Sequence, residues 1–375
     1  MVIEFFYNRD SLYALVLKKD FETPKLVPLS GFNKDFSFYS TAELYEALWK
    51  PLEEYMSENG NTYFSPSGAL YNIAIEYAPI DSTHTISDKY KIYRISSTRN
   101  LALSKPKPNP NKKAATYGGI QYNFGPGNWA DRKDKEYDSY VSDLVAFRDV
   151  PDLENTTLRT GVQNLIGTKI EAQQITDILR NNGYQVSENN DIYATEESFK
   201  KLSGSGLNLL HIATHGFYQP KDTVVNNSYE KEDISLSQSG LLFAGANSAI
   251  DPQKRKEIPE GFDDGILTAK EISRMDLKGL DLVVLSACQT GLGEVTSEGV
   301  FGLQRGFKKA GANTIVMSLW KVDDNATKDL MTEFYKNLVS GKSKRDAFLA
   351  AQAMLRSKYK DPKKWAAFVM VDGVE

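Results

Sequence analysis

The chain carries one cysteine, Cys288, near the end of the apolar run Asp281-Leu-Val-Val-Leu-Ser-Ala-Cys-Gln-Thr-Gly291. A thiol with an ordinary pKa of about 8.5 is only a few per cent thiolate at neutral pH, so a nucleophilic cysteine needs a base beside it. A matching run, Leu207-Asn-Leu-Leu-His-Ile-Ala-Thr-His-Gly216, ends in His215-Gly216. Both runs read as buried parallel strands that stop at a reactive side chain. In open α/β sheets the chemistry sits beyond the carboxyl ends of the strands. A thiol and an imidazole delivered there form a nucleophile–base pair, which points to a cysteine peptidase. The plain alternative is an inert buried cysteine. The matching histidine strand weighs against it.

The oxyanion formed in acyl transfer needs backbone N–H donors. The amides of Gly216 and Cys288 face one pocket if their strands are neighbours, although Gly216 also suits an ordinary turn with positive φ. His211 lies four residues before His215, on the same face of a strand. That spacing holds zinc on a helix, but His-Ile-Ala-Thr-His lacks the glutamate of such a motif, so His211 reads as a core histidine bonded to a neighbour. His84, in polar sequence, carries no signal. Asp323 and Asp324 follow another apolar run. Either one can hold a substrate Arg or Lys, and either one can cap the helix that begins at Asn325; spacing alone allows both. Lys254-Arg255-Lys256 reads as solvated surface, or as a self-cleavage point if the site prefers basic residues.

These residues need a scaffold, and the order of elements describes one. Leu12–Leu17 and Thr62–Phe64 read as strands. Thr41–Met56 reads as a helix capped by Thr41, with Leu44, Ala47, Leu48 and Leu52 on one face and a kink at Pro51. Leu103-Ser-Lys-Pro-Lys-Pro-Asn-Pro-Asn-Lys-Lys113 is an extended linker. It divides the chain into residues 1–104, a linker at 105–113, and residues 114–375. After it, strands at Ala114–Gly119, Tyr184–Ser187, the His and Cys runs, Asn313–Trp320 and Trp365–Val371 alternate with helices. The helices are predicted at Thr168–Asn181, Thr195–Lys201, Gly299–Ala310, Asn325–Val339 and Ser343–Lys358. That alternation specifies an α/β fold with a mainly parallel sheet covered on both faces. Two long stretches, Gly118–Thr160 and Tyr218–Gly265, break it. The second leaves directly from the His turn and is predicted to border the site.

Composition sets the remaining bounds. At 375 residues, 41% hydrophobic and 25% charged, the chain is an ordinary globular sequence long enough for about two domains. A net charge of -4 argues against general nucleic-acid binding. No apolar run reaches the roughly 18 residues of a membrane span, and the N-terminus lacks the pattern of a signal peptide. A single cysteine makes no internal disulfide and suits a cytosolic setting. It also rules out zinc held by several cysteines.

Four ordered motifs carry a family resemblance: His211-Ile-Ala-Thr-His-Gly216, Asp264-Gly-Ile-Leu-Thr-Ala-Lys-Glu-Ile272, Val284-Leu-Ser-Ala-Cys-Gln-Thr-Gly-Leu-Gly293 and Ser318-Leu-Trp-Lys-Val-Asp-Asp-Asn-Ala-Thr327. With Leu48-Trp-Lys-Pro-Leu52 and Tyr63-Phe-Ser-Pro-Ser-Gly-Ala-Leu70 upstream, the chain resembles the CHAT-domain cysteine peptidases of the caspase, separase and gingipain clan. The resemblance implies a caspase-like three-layer α/β sandwich, preceded by a smaller, catalytically empty caspase-like half at about 1–104. It implies His215 and Cys288 as the catalytic pair and the Gly216 and Cys288 amides as the oxyanion donors. Asp324 is implied as the carboxylate that receives a basic residue before the cut bond, with Asp323 as the alternative. No third triad side chain, metal or cofactor is expected. Cys288 lies 73 residues after His215, more than the roughly 50 of caspases. It is followed by Gln-Thr-Gly, so the caspase preference for aspartate does not carry over.

The expected activity is therefore endopeptidase action on protein substrates, controlled by a partner or a helical-repeat sensor module. A caspase-like scaffold that binds partners is the reading from another class. A Cys–His hydrolase or acyltransferase acting on small molecules suits an open sheet rim less well.

Overall fold

The computed structural model describes residues 1–9, 11–31, 42–103, 107–124, 127–128, 161–218, 236–286, 297–320 and 323–374. Cys288, Gly291, Thr41, part of the proline linker, the segments Asp131–Asp138 and 219–235, and Lys321-Val322 lie outside the described residues.

The strands are β1 Val2–Asn8, β2 Ser11–Leu17, β3 Lys25–Pro28, β4 Asn61–Ser65, β5 Lys91–Arg94, β6 Lys113–Ile120, β7 Gln185–Asp191, β8 Leu209–Ile212, β9 Gly216–Tyr218, β10 Ser239–Leu242, β11 Ile266–Thr268, β12 Leu282–Leu285, β13 Thr314–Ser318 and β14 Phe368–Val371. The helices are α1 Ala42–Leu48, α2 Ile86–Lys89, α3 Ile166–Asn181, α4 Glu196–Lys200, α5 Ala246–Ile250, α6 Ala269–Ile272, α7 Ser297–Ala310, α8 Asp324–Val339, α9 Lys344–Lys358 and α10 Pro362–Trp365. Eleven strands form one sheet in the order β3-β2-β1-β4-β5-β14-β13-β12-β8-β6-β7, and β11-β10-β9 form a second, small one.

The pairs β7/β6, β6/β8, β8/β12 and β12/β13 are parallel. β14 is antiparallel to β13 and parallel to β5. The carboxyl ends of β4 and β5 therefore point to the sheet edge opposite to that of β8 and β12. Alternation along β6 assigns the layers. Thr116 bonds Thr176 of α3 through their hydroxyls at 2.7 Å, while Tyr117 on the other face packs on Phe199 of α4 and on Phe243. Gly118 is the point of closest approach: a Cβ there would overlap the Thr168 carbonyl oxygen and lie 2.6 Å from Ala172 Cβ. α8 lies beside α3, where Thr332 donates to Gln174 at 3.0 Å. α7 lies on the opposite layer, with Phe307 against Phe199.

Two separate hydrophobic clusters hold the sheet. The larger takes the strands from β6 onward with their helices, and the smaller takes β1–β5 with α1. In the smaller one Trp49, Phe5 and Phe64 meet edge to face at 5.6–6.2 Å, each contact adding about 0.5–1.5 kcal/mol beyond area burial. Trp49 satisfies its indole N–H on the Ile75 carbonyl at 2.7 Å.

The predicted helix at 41–56 is split. The α-helix ends at Leu48 and a 3-10 turn, Lys50–Tyr55, carries Pro51 in its first positions. Proline fits there because a first-turn N–H has no acceptor within the helix, so its absence costs nothing. Tyr218–Gly265 holds more structure than its prolines suggest, since β10 and α5 lie in it, fully buried. Among the described residues no helix is long and apolar enough to cross a membrane.

Candidate active site

β8 and β12 run parallel in register, with Leu285 opposite Ile212, and the Ser286 N–H donates to the Ile212 carbonyl at 2.8 Å. Ser286 is the last described residue on the strand that leads to Cys288. On the neighbouring strand the chain continues through Ala213, whose N–H donates to Tyr117, to His215. The described residues at these strand ends are buried: Thr214, His215 and Ser286 are each at most 3% exposed.

The His215 ring is held from two sides. Its Nε2 lies 2.8 Å from the carbonyl oxygen of Gln163. A carbonyl only accepts, so Nε2 carries the hydrogen, and in the neutral ring the lone pair is on Nδ1. The Tyr122 ring packs against the imidazole at 5.0 Å between centroids, inclined by 51°. The Tyr122 hydroxyl receives the His215 backbone N–H at 3.3 Å and shares a 2.8 Å hydrogen bond with Thr214. Thr214 in turn donates to the Leu242 carbonyl, and the Leu242 N–H donates to the His215 carbonyl at 2.9 Å. Burial pushes the Tyr122 phenol up to about 12, so it remains a neutral strut across the working pH range.

Gly216 opens β9 and pairs with Leu241 of β10. It is not among the positive-φ glycines, so its place in the chain is a strand position rather than a left-handed turn. Asp323 and Asp324 separate cleanly. The Asp323 carboxylate caps α8, accepting from the Asn325 and Ala326 amides at 3.1 Å each. Asp324 lies in the first turn, exposed, with its carboxylate packed against Gly167 at the start of α3; a Cβ at Gly167 would come within 3.1 Å of it.

His211 sits in the core. Its Nδ1 is 3.3 Å from the Tyr335 hydroxyl, and its Nε2 is 3.2 Å from Glu171 Oε1 but off the N–H axis, a close approach without an aligned hydrogen bond. Burial, with Glu171 nearby, holds the Tyr335 phenol well above its usual value. His84 is a surface residue paired with Asp81 at 3.0 Å. Lys254-Arg255-Lys256 forms an exposed 3-10 turn. Among the described residues no group of three His, Cys, Asp or Glu side chains is arranged to hold a metal ion.

Sequence reasoning did not find Gln163, Tyr122, Thr214 or Asn247. Gln163 acts through its backbone, which has no sequence signature. Tyr122 carried a weak signal, an aromatic residue two positions past the end of a central strand on the rim where His215 ends. Arrangements of this kind can activate a thiol, provided the imidazole keeps one nitrogen for it.

Residues 40–372 match the CHAT domain family model. The chain is 33% identical over 171 residues to tetratricopeptide repeat protein 28 of Homo sapiens, a match that covers 43% of this chain and 7% of that protein. It thus spans less than a tenth of that relative's length. Similar solved structures include the Arg-specific cysteine proteinase gingipain R, at 9% identity and a TM-score of 0.47, over 87% of this chain and 67% of that one. Another is the separase–securin complex of Saccharomyces cerevisiae, at 12% identity and a TM-score of 0.42, over 88% and 17% of the two chains.

Proposed function

The chain belongs to the CHAT-domain family, and from that premise we propose that it is a cysteine endopeptidase working through His215 and Cys288. The observation that carries this reading is the Gln163 carbonyl on His215 Nε2. It commits one imidazole nitrogen to an acceptor and leaves the lone pair on the other, as a general base requires. The register supports the partner. The paired strands end at Ile212 and Leu285, and three residues beyond each come His215 and Cys288.

In this mechanism His215 Nδ1 takes the thiol proton of Cys288, and the thiolate attacks the scissile carbonyl carbon. The N–H groups of Gly216 and Cys288 hold the oxyanion. Collapse breaks the C–N bond, and the imidazolium returns its proton to the departing amine. Water, deprotonated by Nδ1, then attacks the thioester and releases the carboxylate product and the free thiol.

Asp324 is the residue we assign to a basic side chain before the cut bond. Asp323 is committed to capping α8, which leaves the exposed carboxylate of Asp324 for a ligand. Residues 1–104 form the catalytically empty half, joined through 105–113 to the active half at 114–375. The two separate cores support that division. The substrate we assign is a cytosolic protein, and control by a helical-repeat module fits the relative named for its repeats. That name also favours a second reading, a scaffold that binds partners without turnover.

The test is cleavage of a diverse peptide library, read by mass spectrometry, with wild type beside Cys288→Ala. Cuts after Arg or Lys that vanish in the variant support the peptidase. Cuts that persist in it exclude Cys288 as the nucleophile. No cuts from either, with Cys288 alkylated at the rate of a free thiol, support the scaffold.

A further inference from the structure

The carbonyl that orients His215 belongs to a short segment, Gly161-Val-Gln-Asn164, held at one end by Asn164 Oδ1, which accepts the Tyr122 N–H at 3.3 Å, and at the other by a side chain from 85 residues away. Asn247, on the buried helix α5 and only 7% exposed, grips Val162 from both sides. Its Nδ2 donates to the Val162 carbonyl at 2.8 Å and its Oδ1 accepts the Val162 N–H at 2.8 Å. The second Nδ2 hydrogen goes to Asn123 Oδ1 at 2.9 Å, so both amide donors are used. The helix is anchored in turn to the strand end that carries Tyr122, because the backbone N–H groups of Gly245 and Asn247 donate to the Gln121 and Tyr122 carbonyls at 3.1 Å. Gly161 makes the approach possible. Its φ is +73°, and a Cβ there would lie 3.0 Å from the Asn247 amide.

We propose that Asn247 is a positioning residue. By clamping Val162 it places the Gln163 carbonyl against His215 Nε2, and so sets which imidazole nitrogen is left to act as the base. The role as a base rests on the peptidase reading; the tautomer control does not. The side chain does for Val162 what a neighbouring strand does for a sheet residue, and the next carbonyl along the chain is the one that meets the imidazole. An aspartate at 247 keeps the shape, but it cannot donate and sets a carboxylate oxygen against the Val162 carbonyl.

The experiment is nitrogen-15 NMR of the imidazole rings in the whole chain. Only three histidines contribute, and His84→Gln and His215→Gln assign them. In wild type His215 is expected as the Nε2–H tautomer. In Asn247→Asp the tautomer ratio is expected to fall by roughly five- to tenfold, the scale of one hydrogen bond. The His211 and His84 signals are expected to stay in place. Gly161→Ala, which pushes on the clamp without altering Asn247, carries the test if Asn247→Asp does not fold. An Nδ1–H tautomer in wild type, or an unchanged ratio in a folded variant, overturns the proposal. Absence of peptide cleavage by wild type bears on the peptidase reading alone.

Discussion

The sheet has two rims, and each presents an ionisable side chain at a strand end. On the N-terminal side Arg94 closes β5. Its Nε and Nη2 hold Glu76 at 2.8 and 2.7 Å, its Nη2 also donates to the Ile73 carbonyl at 2.5 Å, and its guanidinium lies 5.2 Å from the Phe64 ring centroid. Both ions are nearly fully buried, with side chains 3% and 6% exposed. On the opposite edge His215 follows β8 with a single carbonyl on Nε2 and an aromatic face beside it. A charge saturated by its partners stabilises a fold, whereas an imidazole with Nε2 on a main-chain carbonyl has its tautomer and ring orientation set by that bond. The rim beyond β5 thus carries a closed ion pair, and the rim beyond β8 an imidazole oriented by a main-chain carbonyl.

The largest effect should come from the reactive rim. Cys288→Ala is expected to lower peptide cleavage by roughly 10⁴-fold or more while cooperative unfolding persists, as measured by a peptidase assay beside a denaturant titration. The saturated rim should respond in the opposite sense. Arg94→Met leaves Glu76 buried without its partner and should cost about 3–5 kcal/mol of stability, with the cleavage rate per folded molecule unchanged. The double change with Glu76→Gln should recover part of that loss in the same titration. Equal loss of activity in Arg94→Met would dissolve the distinction between the rims.

Smaller effects sharpen the contrast. Asp324→Ala should reduce cleavage after Arg and Lys by roughly 10- to 100-fold, the scale of a charge-assisted hydrogen bond. Cuts elsewhere and overall stability should hold; an unaltered cleavage profile removes Asp324 from the pocket.

A third ionic site, under the small sheet that contains Gly216, is overfilled with acid. Lys200 Nζ meets Glu196 at 2.7 Å and Asp263 and Glu271 at 3.1 Å, with Glu197 and Asp264 also buried close by. Burial pushes Asp263 up to about 6 and Glu196 well above the usual carboxyl range, despite Lys200. The folded protein therefore keeps a proton that the unfolded chain releases near pH 4. The stability it contributes is fully present below about pH 4 and is lost as pH rises through about 6. Unfolding measured at pH 4.5 and 7.5 should differ by about 1–3 kcal/mol from this source, and Asp263→Asn should flatten the difference.

Much of this arrangement was legible in the sequence, for physical reasons. Fully buried parallel strands read as unbroken apolar runs, so the segments around His211 and Val284 announced themselves, and α3 and α8 followed from the alternation of helices with those strands. Asp323 and Asp324 were interchangeable by spacing, because capping is decided by which carboxylate faces the first free amides. β10 and α5 were missed although Gly240-Leu-Leu-Phe-Ala-Gly245 is a short apolar run bounded by glycines; the surrounding prolines and charges masked it. The groups that orient His215 were beyond reach for another reason. One is a main-chain carbonyl, and the other is an asparagine whose partner lies 85 residues away.

The most direct test of the central claim is the pH dependence of alkylation of the single thiol in the intact chain, wild type beside His215→Ala. The account predicts that wild-type Cys288 keeps reacting well below the pKa of about 8.5 of a free thiol, and that the midpoint returns to that value in His215→Ala. A wild-type midpoint near 8.5, or two indistinguishable profiles, would contradict the pairing of His215 with Cys288.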